Sequence, residues 1–374
     1  MVLITGASFA LAEDQSNTRY RFFGDIRLRL EQDWDSLKGD GSMRDDRLRA
    51  RVRLRGGVDY QISDRWSALV QVRTGPHLSQ QSPHVTIIDF DGGPTGPAEF
   101  NFDHWFVNYE SGGFSAWFGR NELSAWHQDD MFVFDNVTFA GAGASYRHDL
   151  GSGALSWNFN YVALPVGMRD FSGTGAFAQV AYERNQQNSG FTVAGGLFDT
   201  NADPDNPNGE ILLTENNTRD YRIFDLQLQY RSRALDTPFE IHFDYSRNME
   251  NYDGAPVGSF SEFHKDDVDG YVFGVEAGNE GGAGDWRFGY YYAYLEALTV
   301  HSSYIQDDWV RWGNSNQVRA TNLQGNEFRV LYTIRSNMNI FARLFLVDAV
   351  DLLERGDTTK ETGNRFRIDW NVAF

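Results

Sequence analysis

The chain has 374 residues, with 52 acidic side chains against 33 lysines and arginines, and therefore a net charge of −19. It contains no cysteine, which excludes disulfides and thiolate metal sites. The lack of any run of about 18 apolar residues excludes a helical membrane bundle, and the acidic excess argues against nucleic-acid binding. The 37 glycines and an aromatic content of 15% favour an all-β chain.

The first twelve residues, MVLITGASFALA, are apolar or small and end in Ala10-Leu11-Ala12. This ending is typical of the cleavage site of a secretory signal peptide. We therefore expect residues 1–12 to be a signal-peptide remnant and residues 13–374 to form a single exported domain. The alternative is a disordered apolar leader.

A strict period of two begins in the segment DIRLRLE at 25–31, where apolar and charged residues alternate. It recurs over 47–62, which is long enough for a tilted strand to cross a membrane. Extending this reading along the chain predicts sixteen strands, near 19–34, 46–62, 66–75, 101–110, 114–120, 138–148, 154–164, 176–184, 190–198, 220–232, 238–247, 268–277, 285–297, 326–334, 339–348 and 364–374.

The predicted connections alternate between seven short turns and eight long loops. The long loops are 35–45, 76–100, 121–137, 165–175, 199–219, 248–267, 298–325 and 349–363. Such sorting is typical of a transmembrane barrel with short periplasmic turns and long extracellular loops. Because lipid cannot satisfy backbone groups at an open sheet edge, the sheet must close. We predict a 16-stranded antiparallel transmembrane β-barrel; a soluble β protein is the alternative, and it has no reason to sort its loops by length.

Several segments carry a family resemblance. The segments GDIRLRLEQDWDS, DDRLRARVRLRGGVDYQI and FGRNEL…DDMFVFDNVTFAGAGASYRHDLG resemble the putative porins of Gram-negative bacteria and, more distantly, alginate-export barrels. The aromatic ending WNVAF resembles the assembly signal of outer-membrane proteins. The resemblance implies a pore in the Gram-negative outer membrane but does not identify its solute.

Arginines occupy alternate positions on the polar side of the first, second, third and last predicted strands. Because the last strand must pair with the first, we expect one contiguous arginine wall in the lumen, with Arg27 opposite Arg53. Guanidinium groups suit carboxylate, phosphate or sulfate, so such a wall would enrich anions. The alternative is a salt-bridged wall without selectivity. We define the arginine wall as Arg27, Arg29, Arg47, Arg49, Arg51, Arg53, Arg55, Arg73, Arg365 and Arg367.

The loop at 121–137 is the candidate for folding into the lumen opposite this wall. Its acidic residues Glu122, Asp129, Asp130 and Asp135 would then create a transverse field at a constriction. The alternative is an exposed loop with solvated carboxylates.

A second acidic pattern, Asp199, Asn201, Asp203 and Glu210, has the spacing of a calcium-binding loop. Proline stands at position 204, where such loops need glycine, and no helix is predicted on either side. An ordinary outer loop is the favoured interpretation, and no other cofactor is indicated. No catalytic motif is present, so we do not expect an enzyme.

These observations predict an outer-membrane porin through which small hydrophilic solutes diffuse, with an anion-leaning, arginine-lined lumen. The alternatives are an export conduit for an acidic polysaccharide and a non-conducting surface scaffold or adhesin. The expected partners are outer-membrane lipid, lipopolysaccharide and small anionic solutes, with a homotrimer suggested by analogy alone.

Overall fold

The structure, a computed structural model, describes residues 19–186, 188–203, 219–234, 236–312 and 320–374. Within these residues the chain forms a closed antiparallel barrel of sixteen strands, as predicted. The predicted signal-peptide remnant at 1–12 lies outside the described residues. The barrel strands are β1 (Tyr20–Trp34), β4 (Arg47–Ser63), β5 (Trp66–Thr74), β7 (Phe100–Ser111), β8 (Phe114–Asn121), β9 (Phe139–Asp149), β10 (Gly153–Val166), β11 (Asp170–Asn185), β12 (Ser189–Asn201), β13 (Tyr221–Ala234), β14 (Thr237–Asn248), β15 (Asp269–Gly278), β16 (Trp286–Leu295), β17 (Leu323–Arg335), β18 (Met338–Asp348) and β19 (Thr362–Ala373).

The barrel closes through β1, which pairs with β19 on one side and with β4 on the other. Arg27 lies opposite Arg53 in this register, which confirms the predicted pairing. The end of the chain is fixed at the same place, because the backbones of Gly24 and Phe374 exchange two hydrogen bonds of 2.9 Å. The terminal aromatic residue therefore helps to close the barrel.

Three short strands and one helical turn lie outside this regular pattern. Strands β2 (Ser36–Leu37) and β3 (Met43–Arg44) form a small hairpin, and β6 (Val85–Asp89) pairs with β4 beyond the end of β5. The helical turn Phe260–Phe263 begins at Ser259. In the described residues no helix is long and apolar enough to span a membrane.

Side chains alternate between the two faces of each barrel strand, as the period of two predicts. In β1, Ile26, Leu28 and Leu30 are exposed on the outer surface, whereas Arg29 and Glu31 are buried inside. An apolar exterior around a polar interior is the arrangement that a barrel in lipid requires.

One predicted loop is wrong. The sequence predicted a long loop over 165–175, but β10 continues to Val166 and β11 begins at Asp170, so that only 167–169 connect them. The low hydrophobicity of this segment hid its strand character. Its inward-facing residues pack against other loops rather than water, and its pairing is interrupted by an irregularity near Pro165.

The outer half of the lumen contains the main apolar core of the molecule. Inward-facing strand residues such as Phe177 and Phe198 pack there against Phe132 and Phe134 from the loop after β8, and against Tyr304 from the loop after β16. Strand alternation alone does not predict this core. The apolar interior arises because two long loops fold into the barrel and bring their own hydrophobic side chains.

Gly119 in β8 is required by a close approach between strands. Its φ of +134° is unfavourable for other residues, and an added Cβ would lie 2.2 Å from the backbone oxygen of Trp105. We expect Gly119→Ala to lower the midpoint of heat-induced unfolding, measured by the mobility shift of the barrel on gels. Gly195→Ala in β12 is the control, because nothing lies within 4 Å of its added Cβ; equal midpoints for the two variants would contradict the expectation.

Candidate pore constriction

The arginine wall forms as one surface on four neighbouring strands. Register places Arg29 opposite both Arg51 of β4 and Asp369 of β19, and Arg55 opposite Arg73 of β5. These positions share the lumen face because alternate residues of paired strands point to the same side. Four carboxylates belong to the same surface, namely Asp25, Glu31, Asp33 and Asp369.

Near the short-turn end of the barrel, one carboxylate serves two arginines. Asp25 accepts hydrogen bonds from Arg53 at 2.7 Å and from Arg55 at 2.6 Å. Arg27 donates to the amide oxygen of Asn371 at 2.6 Å and takes part in none of the ion pairs found among the described residues. This part of the wall therefore carries more positive than negative charge.

The same sharing occurs toward the loop end of the wall. Glu31 pairs with Arg49 and with Arg51, the latter at 3.3 Å. Asp33 forms ion pairs with Arg47 at 2.8 Å and with Arg365 at 2.6 Å. Each carboxylate of β1 thus neutralises at most half of the guanidinium charge that surrounds it.

The loop after β16 closes over the middle of the wall. We call residues 296–312 the plug loop; its side chains from Leu298 to Ile305 are all less than 8% exposed. Asp308 pairs with Arg367 and lies 3.6 Å from Arg29, while its backbone oxygen accepts a hydrogen bond from Arg365 at 2.6 Å. Three members of the arginine wall are therefore covered by this loop.

The charge state of Asp308 follows from these contacts. Burial opposes ionisation, but attraction to Arg367 and Arg29 outweighs it and holds the pKa of Asp308 below its ordinary value. No local sequence pattern places Asp308 beside these arginines. The only signal is the apolar content of its loop, which includes Val300, Tyr304 and Trp309, whereas exposed loops are usually polar.

Arg73 connects two loops inside the barrel and is not open to the lumen. Its side chain is 1% exposed; it donates to the backbone oxygens of Gln80 at 2.6 Å and Asn136 at 2.9 Å, and it lies 3.4 Å from Asp103. Arg120, which no sequence pattern singles out, donates to the backbone oxygen of Met168 at 2.6 Å. The predicted lumen-lining residue Arg73 instead joins loops inside the barrel.

The loop after β8 crosses the lumen. We call residues 122–138 the constriction loop. Its Trp126 backbone exchanges two hydrogen bonds of 2.7 Å with the side chain of Gln179 on β11, and the amide of Gln128 donates to the backbone oxygens of Leu228 and Phe243 on β13 and β14. The loop leaves β8 and lies along the inner wall as far as β14.

The predicted acidic residues of this loop separate into different environments. Asp135 is exposed and lies within electrostatic reach of Arg27, Arg53 and Arg55 of the arginine wall. Glu122 lies 3.6 Å from His104 of β7 instead. Of the four, only Asp135 opposes the arginine wall at open surface.

Among the described residues, neither Asp129 nor Asp130 pairs with an arginine of the wall. Asp130 accepts a hydrogen bond from the side chain of Gln306 in the plug loop at 3.1 Å, and burial together with Asp135 raises the pKa of Asp130 above its ordinary value. Asp129 accepts a hydrogen bond from the backbone of Met131 at 2.8 Å. The two residues anchor loops and do not line the constriction.

Only part of the calcium-like pattern lies within the described residues. Asp199 pairs with Arg222 at 2.9 Å, and Asn201 ends β12. Asp203 is described, whereas Glu210 lies outside the described residues. In the part of the chain that the structure describes, no three His, Asp or Glu side chains are placed to hold one metal ion.

Comparison with known proteins agrees with this architecture. Residues 38–195 match the family model described as putative porin, in agreement with the resemblance identified in the sequence. No curated protein sequence matches the chain.

Solved porin structures share the fold at low identity. Pseudomonas putida OprB is 11% identical, with a TM-score of 0.57 over 95% of this chain and 94% of its own. OmpF of Salmonella typhi in complex with daunomycin is 12% identical, with a TM-score of 0.52 over 95% of this chain and 97% of its own. An anion-selective porin from Comamonas acidovorans is also 12% identical, with a TM-score of 0.52 over 95% and 99% of the two chains. At such identities the likeness establishes the fold alone.

Proposed function

We propose that this chain is a Gram-negative outer-membrane porin that conducts small hydrophilic solutes by passive diffusion and prefers anions. The observation that carries the proposal is the unequal charge at the constriction. Asp25 is shared by Arg53 and Arg55, Arg27 has only the neutral Asn371 as its hydrogen-bond partner among the described contacts, and the single carboxylate of Asp135 stands opposite. Positive potential at the narrowest part of a lumen raises the local concentration of anions.

The arrangement also bears on the size of the solute. The constriction loop and the plug loop fill the outer half of the described lumen with packed side chains. A filled outer half favours small solutes over the acidic polysaccharide that an export conduit would have to pass. The Comamonas porin shows by its name that anion selectivity occurs on this fold. A homotrimer, contact with lipopolysaccharide and the absence of catalysis stay predictions.

The test is the reversal potential of the purified protein in a planar bilayer under a salt gradient. We expect anion preference, and we expect Arg27→Ala to reduce the anion-to-cation permeability ratio by roughly two- to fivefold. One charge at several ångströms contributes about 0.5–1 kcal/mol in a wet lumen. Asp135→Ala should shift the ratio in the opposite direction.

Arg65→Ala, in the turn between β4 and β5, is the matched control, because it removes the same group outside the lumen and should leave the ratio unchanged. Cation preference of the unmodified protein would contradict the proposal. Failure to form any channel would favour the scaffold alternative.

A further inference from the structure

One group of buried polar atoms without hydrogen-bond partners lies behind the constriction loop, on the side away from the arginine wall. They belong to Gln128 and Asp129 of the loop, Gln227 of β13, and His242 and Asp244 of β14. Gln227 is 2% exposed and His242 is 4% exposed. Because orphaned buried polar groups are rare in proteins, their concentration at one place points to a bound species.

The two carboxyl groups at the centre of this region face each other. Asp129 and Asp244 lie within hydrogen-bonding distance, yet the Oδ2 atoms of both are without a partner. The other oxygens are occupied: Asp129 Oδ1 accepts from the Met131 backbone at 2.8 Å, and Asp244 Oδ1 accepts from Gln128. Two acceptor oxygens can form a hydrogen bond only if one of them carries a proton.

No positive charge compensates this pair. Among the described residues, neither Asp129 nor Asp244 forms an ion pair with Lys, Arg or His, and the neighbouring Asp225 forms none. Asp225 is held by Gln227 at 2.5 Å and by Ser246 at 2.9 Å. Ionisation of both members of the pair would therefore place like charges together in a site of low polarity, which is costly.

The site leaves room for little else. A cavity of about 10 Å³ lies between the loop and β13–β15, lined by Asp129, Asp225 and Asp244 together with Met131 and Phe132. This volume is about that of one water molecule. A proton, with or without one water, fits the space.

We propose that Asp129 and Asp244 form a proton-binding latch that holds the constriction loop against β14. One shared proton joins the two carboxyl groups and keeps the loop docked. Loss of that proton leaves two facing carboxylates, whose repulsion releases the segment around 126–131. The latch makes the pore responsive to pH, and it does not depend on the anion preference proposed above.

The other titratable groups that face the pair favour retention of the proton. Asp225 adds a further carboxyl from β13, and Tyr271 of β15 lines the cavity. His242, on the same face of β14, lies 3.4 Å from Glu240, which offsets any positive charge it carries. In the loop itself, the pKa of Asp130 is raised by burial and by Asp135. Because a second negative charge on the pair is unfavourable, docking is favoured at low pH and weakens as pH rises.

The experiment measures exposure of the loop directly. The chain has no cysteine, so Met131→Cys introduces a single thiol at a position that is 5% exposed in the docked loop. Its rate of alkylation is measured in the folded barrel between about pH 5 and about pH 9, relative to Asp64→Cys in the turn between β4 and β5. This ratio removes the intrinsic pH dependence of thiol reactivity.

We expect the relative rate to rise with pH by up to about tenfold per pH unit, the limit for release of one proton. Asp244→Asn should abolish this dependence and keep the loop docked, because the amide donates to Asp129 without a titrating proton. Asp64→Asn is the matched control and should leave the dependence intact. The gel mobility shift confirms that each variant is folded.

Three outcomes would overturn the latch. The relative rate could be independent of pH, or the pH dependence could persist in folded Asp244→Asn. Alternatively, calcium chloride could suppress exposure at about pH 9 where a chelator does not. That last result would identify the site as a cation site in place of a proton site.

Discussion

Replacing Asp308 by alanine is expected to release the plug loop and raise the single-channel conductance severalfold. The carboxylate of Asp308 lies near Arg29, Arg343 and Arg367, all of which are buried. Arg29 keeps Asp369 and Arg343 keeps Glu327 when Asp308 is removed, but Arg367 loses its nearest carboxylate. Removing one partner of such a buried ion pair costs about 3–5 kcal/mol. Water entering beneath the loop is the readiest way to restore solvation to these arginines.

The pH dependence of this contact has a definite sign. Because its folded-state pKa is lowered, Asp308 contributes its full stabilisation above the ordinary carboxyl pKa of about 4, and the contribution is lost as pH falls toward the folded value. Conductance at neutral pH therefore reports the intact contact. Asp266→Ala, at an exposed position of an outer loop, is the control. Unchanged conductance in Asp308→Ala would show that apolar packing alone holds the plug loop.

Replacing Arg73 by alanine is expected to produce the largest loss of stability among the variants of the arginine wall. Its guanidinium joins the backbone of two loops and compensates the buried Asp103. Loss of such a group costs about 3–5 kcal/mol and should lower the midpoint of the heat-induced gel mobility shift clearly. Arg73→Lys should rescue only part of the loss, because one ammonium cannot reproduce the fork of donors.

Arg27→Ala provides the contrast to this variant. Arg27 has a neutral partner and no ion pair among the described residues, so its removal should change the permeability ratio while leaving the unfolding midpoint almost unchanged. Equal midpoints in Arg73→Ala and Arg27→Ala would refute the division of the wall into structural and lumen-facing arginines.

The barrel could be predicted from the sequence because strand alternation is local. Each residue of 25–31 faces lipid or lumen according to its position in the strand, and a slip of one residue would bury Arg29 in lipid. The pairing of β1 with β19 then follows from closure of the sheet, and the register opposite β4 follows from the hairpin. The arginine wall could be predicted for the same reason.

The roles of the individual arginines in that wall could not be predicted from the sequence, because they depend on contacts with loops. Arg73 and Arg27 have the same periodicity, yet one is enclosed by loop backbone and the other faces Asp135. The prediction of a loop over 165–175 was wrong for a related reason. The inward side chains of this segment pack against other loops, and no local sequence pattern shows where those loops lie. In the sequence, Asp129 and Asp130 are equivalent to Asp135. Only the folding of the constriction loop into the barrel places them in different environments.

The sequence by itself therefore determined the number of strands, the pairing of Arg27 with Arg53, and the row of arginines on one lumen face. The tertiary structure decided which arginines remain open to solute, where the apolar core lies, and which carboxylates oppose the wall. The physical reason is the range of the contacts. Alternation is imposed by neighbouring residues, whereas Asp308 meets Arg29 only after the whole barrel has closed and the plug loop has folded into it.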